Sequence, residues 1–99
     1  MKPYLDNLLM KMGYQKKIIE KKTLWYKPVA YMLFTIKHQD ESLLGEVWII
    51  NNRGVLSCFN RATITISKVQ EVSDIQDFET ELYDELYRFS STQSHKLVP

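Results

Sequence analysis

A single cysteine, Cys58, excludes an internal disulfide, and the two histidines, His38 and His95, lie far from it and from each other in the chain. Neither close His/Cys spacing nor a histidine pair on one helix face is present, so no metal site is expected. Long hydrophobic runs are also missing. The longest, Val29 to Phe34, is six residues and includes Tyr31, against the ~20 that a membrane helix needs. The opening Met1-Lys2-Pro3-Tyr4-Leu5-Asp6 meets an acid early and lacks a small-residue cleavage site, unlike a secretory signal. With the lone thiol, read as a small buried hydrophobe, these absences predict a cytoplasmic protein. Glycine and proline number three each, and no glycine-rich loop suited to phosphate is among them. No nucleophile lies beside a base. Asp40 and Glu41, next to His38, have the pattern of solvated loop carboxylates. The sequence therefore predicts a non-enzymatic protein with no catalytic residue and no cofactor.

What is present is an ordinary globular balance: 99 residues, 44% hydrophobic and 25% charged. That bounds the chain to one domain, expected over residues 1–90, with 91–99 as a flexible tail. The net charge of +1 conceals an asymmetry, because residues 1–61 carry +5 and residues 62–99 carry −4. The molecule is expected to be dipolar.

Residues 46–59 make the plainest structural statement, with β-branched and aromatic stretches on either side of Asn52-Arg53-Gly54. A hairpin follows, with Gly54 in the positive-φ position that a Cβ would disfavour. Leu5, Leu8, Leu9 and Met12 repeat at helical spacing between Pro3 and Gly13, which predicts a short helix ended by a left-handed glycine. Ile75, Phe78, Leu82, Leu86 and Phe89 predict a longer one, with Ser73 and Gln76 as a capping box. Strands are predicted over 29–37, 44–51, 55–60 and 62–68, joined by connections too short for parallel crossovers. Residues 14–27 fit either a helix or a lysine-guarded edge strand, and Pro28 is expected to separate them from the next strand. The fold class is α+β: an antiparallel meander of four or five strands, its one face covered by the C-terminal helix and helped by the N-terminal one.

Two surfaces are candidates for binding. If the helices cover the Val47 side, alternation places Trp48 on the open face beside Tyr31 and Leu33, where a tryptophan marks a protein-binding surface; the reverse orientation puts Trp48 inward and Ile49 outward. The acids Glu79, Glu81, Asp84 and Glu85 would add a charged outer helix face. The second candidate is Lys16, Lys17, Lys21, Lys22 and Lys27 interleaved with Trp25 and Tyr26, joined by Arg53 and Arg61, a composition that suits single-stranded nucleic acid. A near-neutral whole-chain charge argues against that ligand. The expected activity is thus a protein-interaction module of the inhibitor, immunity or accessory-subunit kind, bound to a protein partner or to a second copy. Nucleic-acid binding is the alternative.

Overall fold

The computed structural model describes residues 3–97, with side chains described over 4–84. Helix α1 (Pro3–Lys11) leads into strands β1 (Gln15–Ile19), β2 (Lys22–Val29), β3 (Met32–Gln39), β4 (Ser42–Ile50) and β5 (Leu56–Thr65), then a short 3-10 turn at Ile66–Lys68 and helix α2 (Val72–Leu97). Strands neighbouring in sequence are neighbours in space, and all pairs are antiparallel. This is the expected α+β meander, with both helices on one side of it.

Each helix packs where its apolar stripe directs it. Leu5 and Leu9 of α1 and Ile75, Phe78 and Leu82 of α2 join Trp25, Phe34, Ile36, Leu43 and Val47 of the sheet in one core. The end of α1 is a Schellman cap: the Tyr14 amide donates to the Leu9 carbonyl and the Gly13 amide to that of Met10, both at 3.0 Å. Gly13 takes φ +91° there, and Tyr14 is carried into the core beside Leu9. Gly45 answers a different need. A Cβ at that position would lie 2.5 Å from Phe78 Cε2 and 3.0 Å from Leu82 Cδ1, so its bare backbone lets α2 approach β4.

The N-terminal half of the sheet differs from expectation. Residues 14–27 form two strands, because Glu20 and Lys21 both adopt positive φ, 51° and 67°, and fold β1 onto β2 without a glycine. Pro28 does not break the sheet but sits inside β2 opposite Leu33. In a two-residue hairpin the residues flanking the turn, here Val29 and Met32, exchange the hydrogen bonds, so the next pair leaves Pro28's nitrogen facing outward. β1 ends opposite Tyr26, and no strand there requires a proton from that nitrogen.

The C-terminal half is also resegmented. Instead of breaking near Arg61, β5 runs unbroken from Leu56 to Thr65 with a bulge at Phe59, where Val47 pairs with Asn60 but Trp48 pairs with Cys58. The bulge sends Asn60 and Cys58 to opposite faces, Asn60 donating to the Leu82 carbonyl at 3.1 Å. The 46–59 hairpin is as expected, with Gly54 at φ +78° and Asn51 Oδ1 accepting from the amides of Arg53 and Val55. Helix α2 does not stop near Ser90 but continues to Leu97, since neither glycine nor proline occurs between Gly54 and Pro99. Val98 and Pro99 lie outside the described residues.

Candidate functional site

Strand register sorts the side chains of the sheet. Trp25, Phe34, Ile36, Leu43 and Val47 point to the helices, so their alternates point away: Leu24 and Tyr26 on β2, Leu33, Thr35 and Lys37 on β3, Glu46 and Trp48 on β4. Lys17 and Lys22 of the first hairpin belong to this open face through Leu24, as do Cys58 and Arg61 through Trp48 and Glu46. Neither helix covers it.

At its centre Trp48 stands half-buried, opposite Leu33, its indole Nε1–H donating to Thr35 Oγ1 at 3.0 Å. The ring is therefore oriented before any partner arrives. Trp48, Leu24, Leu33 and Leu56 border a hollow of about 150 Å³, floored by Thr35 and Glu46 and edged by Lys37. In a protein interior a space of that order accommodates a benzene-sized group. Glu46 is buried and is held between Arg61 Nη2 at 3.6 Å and Lys37 Nζ at 3.9 Å. The Cys58 thiol also donates to it, at 3.7 Å.

Trp48 thus occupies the open face, together with Leu33. Tyr31 does not stand beside it but is exposed in the turn between β2 and β3, because the strand begins at Met32 and not at Val29. Glu79 leaves the expected acidic face altogether. It is buried, accepting from the Tyr14 hydroxyl at 2.6 Å and pairing with Lys27 Nζ at 2.5 Å, while that ammonium lies 4.8 Å from the Tyr14 ring centre. Burial, then the adjacent Glu79 charge, pushes the Tyr14 phenol above its ordinary value, so it remains a donor. Glu81 is exposed and Asp84 half-buried on α2; the Glu85 side chain lies outside the described residues. The acids of α2 and the open face do not form one surface, since α2 packs on the other side of the sheet.

The basic and aromatic segment is likewise divided. Trp25 is 2% exposed and lies in the core; Lys16 sits on the helix side, 3.8 Å from Asp6, and Lys27 is consumed by Glu79. Lys17, Lys22, Tyr26 and Arg61 remain on the open face, Lys21 is in the first turn and Arg53 in the loop before β5. Alternation from Trp48 was enough to find Leu33. Leu24 was hidden by the unsignalled Glu20-Lys21 turn, whereas Leu56, opposite Ile50 on the turn side of the bulge, follows from the same alternation carried across the hairpin.

A larger cleft, about 750 Å³, opens where α1 meets the first hairpin, lined by Asp6, Lys16, Glu20, Lys22 and Trp25 among others. Its charges are of both signs. Trp25 Nε1 and Asp6 Oδ1 lack hydrogen-bond partners, but both atoms are sealed from solvent and cannot reach a ligand there. His38, opposite Leu43, faces the helices while Cys58 faces away, so no Cys–His pair forms between them. Among the described residues no group of three His, Cys, Asp or Glu gathers to hold a metal, and no helix is long and apolar enough to cross a membrane. Comparison with protein families, with characterised proteins and with solved structures gives no match.

Proposed function

We propose that this protein is a non-enzymatic cytoplasmic interaction module that binds a protein partner through its open sheet face. The observation that carries the reading is Trp48: a tryptophan held by Thr35 on an uncovered face, beside an apolar hollow. Tryptophan is enriched at binding hot spots because it buries a large area with few rotamers to freeze. A sheet face with no helix over it is where such an anchor remains available.

Covalent footprinting of the protein inside its own cells and after purification tests the proposal. Trp48, Leu56 and Arg61 are expected to be protected in cells and labelled in the pure protein. Trp48→Ala should remove the protection of Leu56 and Arg61, while lowering the thermal midpoint less than Trp25→Ala does. Equal labelling in both settings would overturn the reading. A solution mass that rises with concentration, and falls back in Trp48→Ala, would assign the face to a second copy instead.

A further inference from the structure

We infer that the open face takes an acidic protein segment, which seats one apolar side chain in the Trp48 hollow and sets its carboxylates against a lysine and arginine rim; this rests on the open face being the binding surface. Lys17, Lys22, Lys37 and Arg61 share that face with a single acid, Glu46, whose carboxylate already lies between Lys37 and Arg61. The face is thus a positive field around an apolar centre. Lys17 and Lys22 are exposed and form no ion pair among the described residues.

Charge decides among occupants. Two copies stacked open face to open face would bring these cations together, and like-charge juxtaposition across an interface is strongly disfavoured. Nucleic acid matches the sign but not the surface. Bases stack on free ring faces, whereas Trp48 is half-buried with its indole nitrogen bound to Thr35, and Tyr26 is half-buried with its hydroxyl bound to Gln15 at 2.9 Å. Trp25, the remaining aromatic of the basic segment, is in the core. A hollow bordered by Leu24, Leu33, Leu56 and Trp48 suits an aliphatic or aromatic side chain. In such an interface the rim charges steer encounter and select the partner, and the central anchor slows departure.

The test uses the intact ¹⁵N-labelled protein and three probes: a synthetic peptide of alternating glutamate and leucine, the same peptide with lysine replacing glutamate, and oligothymidylate. The glutamate peptide is expected to shift the amide signals of Leu24, Leu33, Lys37 and Arg61 and the Trp48 indole signal, and the lysine peptide to leave them unmoved. Lys17→Glu with Lys22→Glu, both exposed and unpaired, should weaken that binding about tenfold without changing the thermal midpoint. Trp48→Ala should abolish saturable binding. Equal response to the lysine peptide would overturn the acidic preference while leaving the face a docking surface. Tighter binding of oligothymidylate at the same signals would replace the inference with nucleic-acid recognition, and silence toward the glutamate peptide would end it.

Discussion

At the scale of single residues, the side chains that matter most are those the helix side cannot replace. Gly45→Ala drives a methyl group into the Phe78 ring, and overpacking of this kind costs about 1–3 kcal/mol. Chemical denaturation should show that loss, and Phe78→Leu in the same chain should recover part of it by clearing the ring edge. Glu79 binds three elements through one carboxylate: Tyr14 after α1, Lys27 of β2 and its own α2. Removing one member of a buried pair strands the other, at about 3–5 kcal/mol. Glu79→Ala is therefore expected to be among the most damaging single changes. Glu79→Leu combined with Lys27→Met should be far milder, because neither charge is then left alone; equilibrium unfolding of the single and double variants measures the difference.

Among the elements, α2 depends on a cap that lies two residues before the expected one, with Glu71 and Asp74 in the places expected of Ser73 and Gln76. The Asp74 carboxylate accepts the amide protons of Gln70 and Glu71 at 2.9 Å, and these two hydrogen bonds hold its pKa below the usual carboxylate range. A carboxyl group depressed in the folded state stabilises it fully above its unfolded value, ~3.9, and that contribution is lost as pH falls through the lower folded value. Asp74→Asn should thus lower stability at neutral pH and flatten the dependence below pH ~4, as thermal midpoints across that range would record. Ser73, the residue with the better capping propensity, is already inside the helix and donates instead to Glu71 at 3.1 Å. The elements readable from sequence were those with a strong period or a glycine: the leucines of α1 with Gly13, the stripe of α2, the Gly54 hairpin. Those that escaped have turns built from residues that enter positive φ without advertising it, namely Glu20-Lys21 and Ala30. Those short turns are fixed by the pairing of the strands they join, which local sequence does not contain. The candidate site shared this fate in part, with Trp48 and Leu33 in view and Leu24 hidden.

For the molecule as a whole, the sheet separates two environments of opposite charge. The open face is basic, while the acids of the last third of the chain ride on the helix that packs behind it, among them the exposed Asp77 and Glu81. The same helix supplies Ile75, Phe78 and Leu82 to the core. At ~1.5–3 kcal/mol for each buried side chain, their contribution is roughly 5–9 kcal/mol, comparable with the ~5–15 kcal/mol that holds a domain of this kind together. A chain cut after Lys68 is expected to show no cooperative thermal transition and to bind a hydrophobic dye, and a sharp transition would refute this. The order of elements carries a further consequence for biosynthesis. All five strands are translated before α2, so each ribosome making this protein holds a growing ribbon whose tryptophan, phenylalanine and isoleucine flank has only the short α1 to lie against. At ~5–20 residues per second, the 26 residues of α2 need roughly one to five seconds. That interval is when the newborn polypeptide is most open to chaperones and to sticking to its neighbours.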